Sequence, residues 1–344
     1  METLISSLQP HIPFAINHAS DVAAARRAGQ KLADALGFNE VQAGRLAIVI
    51  TEAATNIVKH AGEGMLYIMR AQSGIATPGV DVLAVDNGPG IADLETSLRD
   101  GVSTAGTAGT GLGALQRQAN EFDVWSMPGK GAAFFMRVWS TPAPPEPCGV
   151  EVGALFVPLA GEDACGDGWA ASCNPDGATL LGVDGLGHGE KASEAAVAAI
   201  RALEVHPSAF PEEVLQRAHE ALRGTRGAAL SVARIEYEGD DVRFAGIGNV
   251  SGIVDDGAAR RALVSHNGIV GHNMRKVHTF TVDCPSGALV ILHSDGVQTQ
   301  WDLRAYPGLY ARAPAIVAGI LMRDFMRGRD DAMVLVARRR ERCG

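Results

Sequence analysis

Residues 180–190 read LLGVDGLGHGE. An apolar run ends in Asp184, and glycines follow at 185, 187 and 189 with His188 among them. This pattern predicts a buried strand that delivers a carboxylate to its edge and then a turn without bulky side chains. Asp167 lies upstream in CGDGW; Asp295 ends the run ALVILHSDG; Asp330 and Asp331 precede AMVLVARR. Aspartates at the edges of neighbouring strands can converge in space. Converging carboxylates repel one another, and burial raises the cost. Two divalent cations remove that conflict, acidify a water between them and clamp a phosphoryl group for in-line attack. Phosphate monoester hydrolysis needs such help, because its catalysed rates exceed the uncatalysed ones by up to roughly 10²¹-fold. Glycine at 185 leaves a carbonyl able to ligate a cation and room for a phosphate. A single Asp-Gly step is an ordinary turn signal. Four acidic sites of this kind in one half of a chain carry more weight.

The 344 residues are enough for two ordinary domains. Hydrophobic residues make up 47% and charged residues 20%, a globular composition. The net charge of −9 and the lack of a long Lys/Arg cluster argue against nucleic-acid binding. The basic run 338–342 is short and includes Glu341. Cysteines at 148, 165, 173, 284 and 343 form no CxxC pair, so isolated thiols in a reducing cytosol are expected and a disulfide or zinc framework is not. The N-terminus lacks a basic start followed by an apolar core, so no secretory signal is expected. AAFFMRVW is short and carries Arg137, which makes it a strand and not a membrane span. A cytoplasmic protein with no membrane partner is the expectation.

Thr141–Cys148 holds four prolines in eight residues, TPAPPEPC, and reads as an extended linker. It divides the chain into 1–140 and 149–344. In the first part, Ser20-Asp21 can cap a helix through AAARRAGQKLADALG that ends at Gly37. A second helix spans EVQAGRLAIVITEAATNIVKHA. Strands follow near MLYIMRAQ and VDVLAVD, then a helix from about Gly113 and strands near DVWSM and AAFFMRVW. In the second part, strands are expected at ALFVPL, TLLGVD, ALSVARIEYEG, VRFAGIG, ALVILHSDG and AMVLVARR, with helices near 190–203, 211–223 and 311–326. Helix and strand mix without strict alternation, an α+β class.

The first half has its own polar pattern. Glu52 and Asn56 are four apart on a predicted helix and share a face. A carboxylate beside a carboxamide suits a hydrated magnesium ion and an activated hydroxyl, though a solvated polar stripe has the same spacing. Asp86 ends an apolar strand and enters NGPG; it can accept a hydrogen bond from an exocyclic amine such as that of adenine, or it can simply open a turn. The small residues from Ser103 to Gly113 suit a lid or a plain linker loop. Gly111-Leu112-Gly113 opens a helix whose free N–H groups attract phosphate.

The order ExxxN, DxGxG, GTGLG resembles the GHKL nucleotide-binding superfamily, and within it the small serine kinases and anti-sigma regulators of bacterial partner switching. Residues 15–139 are similar to the stressosome switch kinases. The resemblance implies ATP and Mg²⁺ as cofactors and a GHKL-type α/β sandwich. It implies that Asn56 holds Mg²⁺, that Glu52 polarises the attacking hydroxyl, and that Asp86 reads adenine. Gly88, Gly90, Thr110, Gly111 and Gly113 would line the nucleotide.

From about 149 to 339, GDGW, VDGLGHGEKASEAA, GIGNVSG, HSDGV and GRDDAMVLVARR resemble the PPM protein phosphatases of the sporulation and stressosome branch. That resemblance implies a β-sandwich flanked by helices and two Mn²⁺ or Mg²⁺ ions. Asp167, Asp184, Asp295 and Asp330 would be metal ligands, with Gly185 ligating through its carbonyl and Asp184 central to catalysis. No phosphate-binding arginine is evident in the sequence. His188 is a proton donor or a turn residue, and His293 a structural one. Together the halves imply a protein serine/threonine kinase and a phosphoserine/phosphothreonine phosphatase acting on STAS-domain antagonists or stressosome-like proteins, with a sigma-factor regulator as a further partner. The alternative is a first half that binds ATP to shape a surface without transferring phosphate.

Overall fold

The computed structural model describes residues 3–6, 11, 13–72, 77–98, 111–141, 149–274 and 277–340. In the first half, strands β1 (Thr3–Ser6) and β2 (Pro13–Ile16) precede helices α1 (Ala19–Ala35) and α2 (Glu40–Asn56). Then come β3 (Gly64–Arg70), β4 (Gly79–Asp86), the short helices α3 (Leu94–Leu98) and α4 (Gly111–Gln118), and β5 (Glu121–Ser126) and β6 (Ala132–Trp139). The Asn39 side chain caps α2 by accepting the Val41 and Gln42 N–H groups, each at 3.0 Å. Helix α1 starts earlier than Ser20-Asp21 would suggest. Its cap is His18, and Asp21 works from inside the first turn, accepting the Asn17 and His18 N–H groups at 2.9 and 2.8 Å.

Strands β2-β3-β4-β6-β5 form one antiparallel sheet. β4 is buried on both faces. Val80, Val82 and Ala84 pack with residues of α1 and α2, whereas Leu83 and Val85 belong to a different core on the opposite face. That alternation is the period of two expected of a strand. Its consequence is that the sheet needs a cover on the side away from α1 and α2.

The second half supplies that cover. It contains β7 (Val150–Val157), β8 (Asp167–Cys173), β9 (Gly177–Gly185), α5 (Glu190–Val205), α6 (Pro211–Ala221), β10 (Ala228–Glu236), β11 (Asp241–Ile247), β12 (Ser251–Asp255), β13 (Arg260–Leu263), β14 (Phe280–Asp283), β15 (Leu289–His293), α7 (Pro314–Phe325) and β16 (Ala332–Arg339). Two sheets, ordered β1-β8-β9-β10-β11-β14 and β13-β12-β15-β16-β7, face each other across a core that includes Trp169, Leu180, Phe244, Leu292 and Leu335. α5 and α6 cover the outside of the first sheet. α7 covers the outside of the second and also packs on β4 and β6 of the first half.

α7 therefore lies between two sheets, which explains why Ile316, Val317, Ala318, Ile320, Leu321 and Met322 are all buried. Glycine permits the close approach on each side. A Cβ on Gly153 would stand 2.1 Å from the Ala315 main-chain nitrogen, and one on Gly319 would stand 2.9 Å from Leu83 Cδ2.

Residues 142–148 of the expected linker lie outside the described ones. One apolar core draws on both sides of it, with Leu83, Val85 and Phe135 before it and Leu155, Ile316 and Leu321 after it. Further contacts cross it in space. β1 pairs with β8, so residues 3–6 form an edge of a second-half sheet. His11 donates its N–H to the Phe156 carbonyl at 3.0 Å. The buried Gln72 amide both donates to Ala154 O at 2.7 Å and accepts from Ala154 N at 2.6 Å.

β1, β2, β8 and β12–β14 go beyond the expected strands. β8 reads DGWAASC, and its Gly, Ala and Ser have little strand preference of their own. One cysteine expectation is corrected. Cys165 and Cys284 are free and buried, but Cys173 is disulfide-bonded. Spacing along the sequence is blind to such a pair, because the fold sets which thiols meet.

Candidate functional sites

Asp167 begins β8 and Asp184 lies near the end of β9, and the antiparallel register places them directly opposite each other. Opposed residues on such strands have Cα atoms about 4.5–5.5 Å apart. The buried Ser294 side chain neighbours Asp167 and the Asp295 main chain neighbours Asp184, and each favours the ionised carboxylate. These neighbours bring the turn after β15 onto the same site. Burial and then the Asp295 charge push the Asp184 carboxyl up to about 7. Burial and the Asp184 charge hold Asp167 well above the usual carboxylate range.

Asp167 Oδ2 and Asp184 Oδ2 are buried and have no hydrogen-bond partner. Orphaned anionic oxygens fit a cation site. Among the described residues, no three His, Cys, Asp or Glu side chains enclose an ion by themselves. The two orphaned oxygens are carboxylate oxygens, which suit hard cations that keep several waters.

Asp330 and Asp331 differ sharply. Asp331 is buried, and its two oxygens accept the Leu159 and Gly166 N–H groups at 2.6 Å each. Asp330 is exposed and uses only Oδ1, to accept the Asp331 N–H at 2.9 Å. Asp331 is spent on the main chain, and Asp330 keeps a free oxygen. Asp295 accepts from Asn249 Nδ2 at 2.6 Å through Oδ2; Asn249 was not singled out in the sequence.

A Cβ on Gly185 would stand 2.5 Å from the Ala192 carbonyl of α5. The missing side chain lets the helix close on the strand, a reason different from the room for phosphate that the sequence suggests. His188 is exposed and its Nδ1 lies 2.8 Å from Glu162 Oε1. His293 is fully buried with Nδ1 2.9 Å from the Ser294 carbonyl, so it supports the strand end. Arg226 Nη1 lies 3.1 Å from where a Cβ on Gly187 would stand, so an exposed cation borders the glycine turn. The sequence signal for Arg226 is faint: it precedes β10, whose Ala228 pairs with Gly185.

In the first half, Glu52 and Asn56 lie one turn apart near the end of α2, both half-buried. Immediately beyond, Ile57–Ala61 form a π-helical turn, a distortion that occurs often at functional sites. Asn56 Nδ2 is buried without a partner. Asp86 ends β4, buried, and its Oδ1 accepts the Gly88 and Ala132 N–H groups at 2.8 and 3.2 Å. Burial raises its carboxyl, and those two bonds and the nearby Arg323 charge oppose the rise. Gly88 passes against Ala61 of the π turn, and Gly90 has φ +72° with its Cβ position 2.2 Å from the Met127 carbonyl. Both glycines are demanded by the turn. Gly111 and Gly113 open α4; Thr110 and the rest of the stretch 103–110, expected as a lid or linker loop, lie outside the described residues.

Two family models match the chain. The histidine kinase-like ATPase domain matches residues 16–136, and stage II sporulation protein E matches residues 174–340. The serine/threonine-protein kinase RsbT of Bacillus subtilis (strain 168) is 36% identical over 119 residues, covering 35% of this chain and 89% of that protein. The phosphoserine phosphatase RsbX of the same organism is 26% identical over 147 residues, covering 42% of this chain and 73% of that protein. A solved structure reported for the bacterial stressosome, a modular system adapted to control secondary messenger signaling, is 28% identical. It covers 55% of this chain and 99% of its own, with a TM-score of 0.52.

Proposed function

The chain joins a histidine kinase-like ATPase domain of the RsbT serine/threonine-kinase family to a SpoIIE-type phosphatase domain, and from that premise we propose that it writes and erases phosphate within one partner-switching circuit. The first half uses ATP and Mg²⁺ to phosphorylate a serine or threonine on a STAS-domain antagonist or stressosome-like protein, upstream of a sigma-factor regulator. The second half hydrolyses phosphoserine or phosphothreonine with two Mn²⁺ or Mg²⁺ ions. The observation that carries the reading is the opposed pair Asp167 and Asp184, each with an orphaned buried oxygen and joined by the Ser294-Asp295 turn.

In the second half, Asp167, Asp184, Asp295 and Asp330 would hold the cations, with the Gly185 carbonyl as a further ligand. Divalent cations there supply an acidified water and neutralise phosphoryl oxygens. Asn249 orients Asp295, Asp331 ties the turn before β16 to Leu159 and Gly166, and Arg226 meets the anionic substrate from the glycine turn. In the first half, Asn56 would hold Mg²⁺ and Glu52 would take the acceptor hydroxyl's proton. Asp86 would accept from the adenine amine through Oδ2, because its Oδ1 is already engaged. Gly88, Gly90, Thr110, Gly111 and Gly113 would line the nucleotide.

Phosphorylation adds nearly two negative charges and can eject a protein from an interface, so opposed activities on one chain set the state of a switch. The test uses the full chain carrying Asp184→Asn, so that label once added is not removed. Incubation with γ-labelled ATP and purified STAS-domain proteins should label a serine or threonine. A stable ATP-dependent complex without label would overturn the kinase reading and leave an ATP-dependent binding module.

A further inference from the structure

The last turn of α7 belongs to the phosphatase half but reaches the nucleotide half. Arg323 Nη1 donates to the main-chain carbonyl of Asp86 at 2.6 Å. The guanidinium is itself aimed by Asp324, which accepts from Nε and Nη2 at 2.7 and 2.9 Å, and it lies 5.9 Å from the Trp125 ring centroid. Asp324 is held in turn by the Tyr306 hydroxyl at 2.8 Å. Arg323 is thus a nearly buried cation, its side chain 6% exposed, locked onto the residue that ends β4.

The chain beyond Arg323 leads straight to the other site. The Phe325 carbonyl accepts the Gln298 N–H at 2.9 Å, Met326 bridges to Val297, and Arg327 donates its N–H to the Gly296 carbonyl at 2.8 Å. Gly296 follows Asp295 directly, and its Cβ position would lie 1.9 Å from the Asp331 carbonyl, so this turn has little freedom to move independently. One rigid helix end therefore contacts the main chain of Asp86 on one side and the Asp295 turn on the other.

We propose that Arg323 is a positioning residue of the nucleotide site, supplied by the phosphatase half, and that through it bound nucleotide alters turnover at the Asp295 turn. The proposal rests on the nucleotide reading of Asp86. Coupling between two sites is reciprocal and commonly amounts to about 5–150-fold in affinity. Removal of a charged donor from a buried carbonyl is expected to weaken binding about tenfold.

The experiment uses the full chain in constant Mg²⁺ and Mn²⁺, with a fluorescent ADP for affinity and an aryl phosphate for turnover. Wild type, Arg323→Lys, Arg323→Gln and Asn56→Ala are compared. Arg323→Gln should weaken ADP binding about tenfold, and Arg323→Lys should recover only part of it, because one ammonium cannot hold both Asp324 oxygens and the Asp86 carbonyl as the guanidinium does. Saturating ADP should change wild-type turnover by at least about twofold, and this ratio should return to one in Arg323→Gln. Unchanged affinity in Arg323→Gln, or indifference of wild-type turnover to ADP, overturns the proposal. So does a response that survives in Asn56→Ala, which would place ADP at the phosphatase centre. Failure of ADP to bind wild type would remove the nucleotide reading itself, and the proposal with it. Should Arg323→Gln not fold, hydrogen exchange of the wild type decides. ADP should protect the amides of Gly88 and Gly90 and also those of Gly296–Gln298; protection confined to the first segment overturns the proposal.

Discussion

Asp167 and Asp184 face each other across β8 and β9, and each has a buried oxygen with no partner. Without cations this arrangement strains the fold, because like charges share a desolvated site. Asp184→Asn should therefore raise the unfolding free energy in EDTA by about 1–2 kcal/mol. The same change should abolish the rise in melting temperature that Mn²⁺ gives the wild type, together with aryl phosphate turnover. Denaturant titrations with and without Mn²⁺ read both effects; a variant that stays Mn²⁺-stabilised and active would remove Asp184 from the site.

Gln72 fastens the two halves through paired hydrogen bonds to Ala154. Gln72→Leu leaves the Ala154 N–H and C=O unsatisfied inside the molecule, a loss of about 2–4 kcal/mol. Calorimetry should show a lower midpoint and a broadened or split transition as the halves unfold less cooperatively. An unchanged single transition would mean that this contact does not couple them.

The two glycines that let α7 approach are not equivalent. Gly153 faces main-chain atoms of Pro314 and Ala315, whereas Gly319 faces only side-chain ends, Leu83 Cδ2 at 2.9 Å and Val85 Cγ1 at 3.2 Å from its Cβ position. Gly153→Ala should cost about 2–4 kcal/mol, because the helix must be pushed off β7. Gly319→Ala should stay within about 1 kcal/mol, since Leu83 can turn aside and alanine favours the helix. Equal effects in urea titrations would contradict this packing.

His11 is buried against Phe156, with ring centroids 4.9 Å apart, and burial lowers its pKa to about 3. The unfolded chain takes up a proton near pH 6.5, while the folded chain refuses it until about pH 3. Stability is then fully present above pH 6.5 and is lost as pH falls toward 3. His11→Gln should flatten the pH dependence of unfolding between pH 7 and 5 relative to wild type. Parallel curves for the two proteins would show that His11 titrates normally in the folded state.

Much of the architecture was legible because it is local. The apolar run VDVLAVD, the Gly37 stop after α1 and the apolar runs ending in Asp184 and Asp295 announce their elements through composition and turn chemistry. β8 was not legible: DGWAASC has weak strand preference and is held by its neighbours β1 and β9. Arg226 and Asn249 carry no local signal, because each meets its neighbour, Gly187 or Asp295, only through the fold. Asp330 and Asp331 look alike in sequence, and only the Leu159 and Gly166 amides distinguish them.

What the sequence by itself determined was an inventory: strand-edge acids in the second half, a Glu52–Asn56 face and an Asp86 turn in the first, and a proline-rich stretch between them. The tertiary structure alone decided which of these meet. It set Asp167 opposite Asp184, buried α7 between two sheets, paired β1 with the distant β8, bonded Cys173 and laid Arg323 on the Asp86 carbonyl. The reason is physical. Periodicity and turn preference act over a few residues, whereas register and domain contact depend on how complementary surfaces far apart in the chain pack, and no local pattern encodes that partner.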